Sequence, residues 1–279
     1  LWEKENGRWQ LVMKVMVKDG CVTTRELTKA VAGALNRRMI PEKDTKTLIR
    51  KGVNLYTYEE EPRFQAIYGV ARMVKDGAAV SGDNFSFLEP ESGKMVMCLS
   101  DGMGSGSLAC KESEMVIELV EKFLEAGFDV ETAARMMNSA MVMKGQEDLF
   151  STVDISELDL YDGTCRFYKI GAAATFIRRN GIVECLISTS LPVGVSYKLD
   201  MEKSEKDLYN GDFLVMVSDG VLEYLHVPNP EETMQEIIES IETNNATILA
   251  KRILERVLLF TGGKAADDMT VLATAIWEK

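Results

Sequence analysis

The chain has 279 residues, 46% hydrophobic and 27% charged, with a net charge of −12, enough for one full-sized enzyme domain and a small appendage. No apolar run approaches the ~20 residues a helix needs to cross a bilayer, and the N-terminus lacks the pattern of a signal peptide. The acidic balance, with no basic block beyond Arg37-Arg38, argues against nucleic acid as a partner.

Residues 1 to about 60 read as the end of a preceding regulatory or linker region. Trp9 to Val17 is apolar enough for a strand, and Asp19-Gly20 supplies a turn. Thr23-Thr24-Arg25-Glu26 fits a capping box for a helix carrying Leu27, Val31, Ala34 and Leu35 and ending near Pro41. The acidic run Glu59-Glu60-Glu61-Pro62 marks the expected boundary, with 61–279 as the main domain. Leu1 in place of a methionine suggests a piece of a longer protein.

Beyond the boundary, Phe64 to Val74, Asp83 to Leu88 and Lys94 to Ser100 read as strands, joined by Asp76-Gly77 and a turn from Pro90 to Gly93. Helices follow at about Leu108 to Ala126 and Val130 to Met143. Thr152 to Leu160, Cys165 to Ile170, Thr175 to Arg178 and Ile182 to Ile187 form a meander, with hairpin turns at Asp162-Gly163 and Asn180-Gly181. A strand from Phe213 to Ser218, helices near Glu231 to Ile241 and Thr247 to Leu259, and a strand from Met269 to Trp277 complete the chain. Hairpin-linked strands with helix pairs between groups of strands predict an α+β sandwich of two antiparallel sheets flanked by helices, behind a short α/β leader.

The composition also restricts the chemistry. There is one histidine, His226, so a histidine-rich metal site cannot be assembled. The five cysteines, odd in number and without Cys-x-x-Cys spacing, read as buried free thiols of a reducing compartment. Metal chemistry must then rest on carboxylates, whose oxygens select hard cations. Four aspartate motifs stand at strand ends: Ser81-Gly82-Asp83-Asn84, Ser100-Asp101-Gly102-Met103-Gly104, Ser218-Asp219-Gly220 and Asp267-Asp268-Met269-Thr270. Singly, each fits a turn or a helix cap. Jointly, two apolar strands ending in Ser-Asp-Gly would bring carboxylates together at one end of the sheets. Such a cluster is costly unless a cation neutralises it. Glycine after Asp101 and after Asp219 would let the backbone approach a metal or its water.

With these motifs, residues 63 to 279 resemble the PPM superfamily, the type 2C metal-dependent protein phosphatases, whose motifs include Asp-Gly-x-Gly, Ser-Asp-Gly and Asp-Asn-x-Thr. More narrowly, Glu60 to Phe64, Gly69 to Arg72, Lys75-Asp76-Gly77, Val80 to Asp83 and Leu99 to Gly104 are similar to the phosphatase region of the stage II sporulation protein E family, as is Arg37 to Pro41 to the stretch before it. The resemblance implies a protein serine/threonine phosphatase using two Mn2+ or Mg2+ ions. Its expected substrate is a phosphorylated protein, an anti-anti-sigma factor in sporulation control. It implies metal ligation by Asp83, Asp101, the Gly102 carbonyl, Asp219 and Asp267, with Asp268 as reserve ligand. A cytoplasmic location follows, within a protein whose other parts could be anchored in a membrane; a homo-oligomer is left open. Met103 stands where many type 2C enzymes carry a histidine suggested as general acid. The family's phosphate-gripping arginine has Arg72 as its weak counterpart, and His226 is an outside candidate for phosphate contact or proton donation. A nucleotide loop at Gly102 to Ser107 lacks the P-loop ending. The alternative function is an inactive PPM-fold binding module.

Overall fold

The computed structural model describes residues 1–3, 8–42, 45–89, 93–104, 106–143, 150–260 and 262–279. They divide into two compact units, Leu1–Pro62 and Arg63–Lys279.

The first unit contains β1 (Trp2–Glu3), β2 (Trp9–Val17), β3 (Val22–Thr23), α1 (Thr24–Leu35), β4 (Met39–Pro41), β5 (Leu48–Ile49) and β6 (Gly52–Glu60). The sheet order is β1-β2-β6-β4, with β3 and β5 as a separate pair. The capping box forms: Thr23 Oγ1 accepts from the Glu26 amide at 3.2 Å, and Glu26 Oε2 accepts from the Thr23 amide at 2.8 Å. Val17, Val31, Met39, Ile49, Tyr56 and Tyr58 make a small core. The acidic run is in part a strand: Glu59 and Glu60 end β6, where Glu59 accepts from Gln10 at 3.3 Å and Glu60 pairs with Arg37 at 3.0 Å.

The second unit comprises β7 (Phe64–Met73), β8 (Asp83–Leu88), β9 (Lys94–Gly102), α2 (Ser107–Glu125), α3 (Val130–Met143), β10 (Ser151–Asp159), β11 (Thr164–Ile170), β12 (Thr175–Arg179), β13 (Ile182–Leu186), β14 (Glu202–Asp207), β15 (Phe213–Val217), α4 (Asp219–Glu223), α5 (Pro230–Glu239), α6 (Ala246–Leu259) and β16 (Met269–Glu278). One five-stranded antiparallel sheet runs β14-β11-β10-β9-β8, the other β13-β12-β15-β16-β7. The expected turn from Pro90 to Gly93 falls mostly outside the described residues. At Asn180-Gly181 both residues have positive φ, 51° and 81°, the geometry of a tight hairpin between β12 and β13.

Alternation along the strands explains the layers. Met95, Met97 and Leu99 of β9 meet Leu214 and Met216 of β15 and Leu272 and Ile276 of β16 in the core between the sheets. The intervening Val96 and Cys98 face the other way, into a core with Val116, Val120 and Leu124 of α2 and Ala133 and Met137 of α3. Val215, Val217 and Val271 likewise pack against Ile238 of α5 and Leu249, Ile253 and Val257 of α6. The result is an antiparallel β-sandwich with a helix pair on each outer face. Among the described residues no helix is long and apolar enough to cross a membrane. Of the five cysteines expected to be buried, Cys98 and Cys165 are, whereas Cys21 is exposed.

A buried ion pair interrupts the apolar interior between the sheets. Lys169 of β11 donates to Asp154 Oδ2 of β10 at 2.5 Å and to Thr175 Oγ1 of β12 at 2.8 Å, and Thr175 donates to the same Asp154 oxygen at 2.5 Å. Removing one partner leaves the other charge buried and uncompensated, which costs far more than the pair itself contributes. Lys169→Met is therefore expected to destabilise the protein by about 3–5 kcal/mol in urea unfolding, with much of the loss recovered in Lys169→Met/Asp154→Leu. A single variant as stable as the parent would show that the pair is not an isolated buried charge couple.

Candidate active site

The alternation that fills the core also delivers carboxylates to the end of the sandwich. On β9 the residue after Met95, Met97 and Leu99 on the inner face is Asp101; on β8 the residue before Phe85 and Phe87 on that face is Asp83. Asp83 and Asp101 are direct partners across the antiparallel pair. Like charges in that relation repel at close range. Between them in sequence, outward-facing residues lock α2 in place: Asn84 Nδ2 donates to the Cys110 carbonyl at 3.1 Å and to Ser113 Oγ at 2.8 Å.

The opposite sheet supplies the rest. β15 ends at Val217; Ser218 stands at the N-terminal boundary of α4 without a side-chain capping bond, and Asp219 opens the helix. Asp267 and Asp268 immediately precede β16. Ser218 and Thr270 bind strand to strand, the Ser218 amide to the Thr270 carbonyl at 3.0 Å and the Thr270 amide to Ser218 Oγ at 2.9 Å. This fixes the approach of the two aspartate loops.

Burial and the charges of neighbouring carboxylates raise Asp83 and Asp101. Desolvation is the largest cause of the upward shift of Asp83, to about 6, with the charges of Asp219 and Asp268 adding to it and the hydroxyls of Thr270 and Ser218 opposing it. Those hydroxyls do not satisfy the carboxylate. Both Asp83 oxygens are buried without a hydrogen-bond partner, as is Thr270 Oγ1. Asp101 is pushed up further, first by desolvation, then by its hydrogen bond to Asp219 and by the charges of Asp83, Asp219 and Asp267. Asp83, Asp101, Asp219 and Asp267 thus feel one another electrostatically.

Asp268 is held differently. Its Oδ2 accepts from the Gly82 amide at 2.7 Å and its Oδ1 from the Lys75 amide at 2.9 Å, so it braces the two loops beside the cage. Asp267 turns instead toward Lys75 Nζ, 3.6 Å from its Oδ1. Protein, rather than open space, lies against the two motif glycines. A Cβ on Gly102 would sit 2.1 Å from the Ala109 carbonyl oxygen of α2, and one on Gly220 2.2 Å from that of Asp268. Each glycine is needed because two backbones meet there.

An orphaned buried carboxylate, its raised neighbours and an all-oxygen donor set fit a hard divalent cation. Among the described residues no three or more His, Cys, Asp or Glu side chains stand close enough together to hold an ion by themselves. Backbone carbonyl and water would therefore complete the coordination, as is usual for magnesium.

Other residues take new places. Arg72, exposed at the inner-face end of β7, donates to the Asp83 carbonyl. His226 stands outside the cage, in left-handed conformation at φ 48°, its ring 5.8 Å from that of Tyr224. Sequence reasoning assigned no role to Lys75 or to Glu223. Glu223 lies four residues after Asp219 on α4 and is raised by desolvation and by Asp219 and Asp267. Its spacing was the available signal.

The family model for stage II sporulation protein E (SpoIIE) matches residues 91–276. Stage II sporulation protein E of Bacillus subtilis (strain 168) is 29% identical over 277 residues, 99% of this chain and 34% of that protein. The Priestia megaterium protein of that name is 34% identical over 209 residues, 75% of this chain and 36% of its own length. The chain thus spans about a third of these relatives. A structure of the PP2C phosphatase domain with a fragment of the regulatory domain of SpoIIE from Bacillus subtilis superposes at TM-score 0.80 with 29% identity, covering 98% of this chain and 81% of that one. Phosphoserine phosphatase RsbX of Bacillus subtilis is 35% identical over 86 residues, 31% of this chain and 41% of RsbX. A crystal structure of RsbX in complex with magnesium shares the fold, at TM-score 0.57 and 20% identity over 78% of this chain and 97% of that one.

The raised acids make the metal-free protein sensitive to pH. A carboxyl whose folded pKa exceeds its unfolded value near 4 binds more protons when folded, so its stabilising contribution is present at low pH and lost as pH rises through the folded pKa. For Asp83 the window runs from about 4 to about 6. Metal-free Asp83→Asn is expected to melt higher than the parent above pH 6 and to show a flatter decline across that window. A lower melting temperature at neutral pH would mean that the charge on Asp83 is satisfied.

Proposed function

The chain belongs to the stage II sporulation protein E (SpoIIE) family, and from that premise we propose that it is a protein-serine phosphatase that depends on two divalent cations, manganese or magnesium. The observation that carries the reading is the buried Asp83 carboxylate with neither oxygen partnered, opposite Asp101 and facing the aspartates of the second sheet. Asp83, Asp101, the Gly102 carbonyl, Asp219 and Asp267 would hold the ions. Asp268, with both oxygens engaged by amides, would position the loops, while remaining the reserve ligand. When bound, such ions supply positive charge for the phosphoryl oxygens and lower the pKa of a water that can attack phosphorus in line.

The residues themselves do the positioning. The cross-strand pairing of β8 with β9 holds Asp83 and Asp101 in register, and α2 seated against Gly102 fixes the carbonyl of that residue. Lys75 shields Asp267. Arg72, tied to the Asp83 carbonyl, would meet a phosphoryl oxygen from the edge of the cage. The substrate we propose is a phosphoserine on an anti-anti-sigma factor, on the strength of family membership. RsbX, named a phosphoserine phosphatase, supports the serine specificity, and its complex with magnesium supports the metal. The second reading, an inactive binding module, leaves unexplained why Asp83 is buried with neither oxygen partnered and why it and Asp101 are raised by burial and by neighbouring carboxylates, at a cost in stability.

Phosphate release from a phosphoserine protein, with manganese, magnesium and chelator in parallel, tests the proposal. Activity should require the metal. Asp101→Asn and Asp219→Asn should stay folded and lose at least ~100-fold of the turnover, as removal of a group essential to transition-state stabilisation does. Near-native turnover of either variant at saturating manganese would remove the cage from the chemistry.

A further inference from the structure

Outside the carboxylate cage, and sharing Lys75 with it, lies a cavity of about 420 Å3 lined by Lys75, Asp76, Tyr224, His226 and Lys264 together with Ala265 and Ala266. Its walls are held by backbone. The Asp76 amide donates to the Ala265 carbonyl at 2.7 Å, and the Ala266 amide donates to the Tyr224 hydroxyl, so the turn at 75–77, the end of α4 and the segment before Asp267 are stitched together. Tyr224 is buried to 4% exposure, and its ring lies 5.8 Å from that of His226, whose backbone is left-handed at φ 48°.

In a chain of net −12, two lysines and the only histidine line this cavity with Asp76, and Lys75 also pairs with Asp267 at its edge. Its volume far exceeds that of one anion and accommodates an amino-acid side chain with its backbone. Lys75 connects it to the cage, its Nζ 3.6 Å from Asp267 Oδ1. An oxyanion in the cavity would compete with Asp267 for that ammonium.

We propose that this cavity is a specificity subsite that takes the carboxylate of an aspartate or glutamate flanking the phosphoserine of the protein substrate, gripped by Lys75, Lys264 and His226. The inference rests on the phosphatase reading above and adds a substrate preference to it. The ligand chemistry is an oxyanion. The substrate's carboxylate is the source favoured by the size of the cavity and by its place beside the cage, with free phosphate released by the reaction as the competing source.

The test compares phosphoserine peptides that carry glutamate or glutamine at the two positions on either side of the phosphoserine, on the manganese-loaded full chain. The parent should prefer at least one glutamate peptide by about fivefold in kcat/KM, the scale of one ion pair at a partly exposed site. The preference should reside in KM and shrink in high salt. Lys264→Ala should bring the glutamate and glutamine peptides within twofold of each other, and Lys264→Arg should restore the difference. Hydrolysis of para-nitrophenyl phosphate, which has no carboxylate, runs in parallel. No metal-dependent turnover of it would sink the phosphatase reading, whereas turnover without a glutamate preference would overturn the subsite alone. Inhibition by inorganic phosphate supplies the last arm. If Lys264→Ala relieves that inhibition and leaves the peptide preference intact, the cavity holds phosphate and the proposal is wrong.

Discussion

Carboxylates cannot be held side by side in a protein interior without something to offset their repulsion, and the second unit of this chain is arranged around that constraint. Asp83 and Asp101 are opposed across an antiparallel pair whose register is set several residues away, by Phe85, Phe87, Met95, Met97 and Leu99 in the core between the sheets. A one-residue slip of either strand would turn its aspartate to the helix side and bury Asn84 or Gly102 in the sandwich instead. The packing energy of the core therefore pays for the proximity of the acids. The opposite sheet adds Asp219 and Asp267 through loops fastened by Ser218, Thr270 and Asp268. What results is an end of the fold where aspartates crowd together, Asp83 and Asp101 raised by burial and by their neighbours, a state that a cation would relieve.

The same economy explains the close backbone contacts. α2 approaches β9 so tightly at Gly102 that a methyl group would collide with the Ala109 carbonyl, and α4 meets the loop before β16 in the same way at Gly220. Both helices are thereby tied to residues of the cage. Asp268 does with a side chain what the glycines do by lacking one: it holds the Lys75 and Gly82 amides and closes the distance between two loops. The cage and the basic cavity beside it share Lys75, so charge in one is felt in the other.

Much of this was legible in the sequence because it follows from periodicity. The core strands and both helix pairs showed alternation or helical spacing, and the four aspartates stood out by their position at the ends of apolar strands. β14 was not legible: Glu-Lys-Ser-Glu-Lys-Asp has no apolar face, because it is an edge strand whose register against β11 is supported by pairs such as Arg166 with Glu205 at 2.8 Å. α4, five residues long, is too short to show a period. The acids that close β6 looked like a linker, since a strand end paired by Gln10 and Arg37 leaves no local signature. At the site, the motif glycines were read as making room for a metal, but the neighbours that require them come from distant segments. Lys75, Glu223 and the histidine cavity escaped for the same reason: their meaning lies in what they stand beside.

The central claim is that the aspartates form a charge-crowded site relieved by two cations, and a calorimetric titration of Mn2+ into the metal-free chain tests it most directly. Near pH 6, run in two buffers of different ionisation enthalpy, the account predicts about two ions bound per chain with net release of protons, because acids raised by burial and repulsion must ionise to bind metal. The release should diminish in Asp83→Asn. Absence of binding, or binding with the same heat in both buffers, would contradict the account.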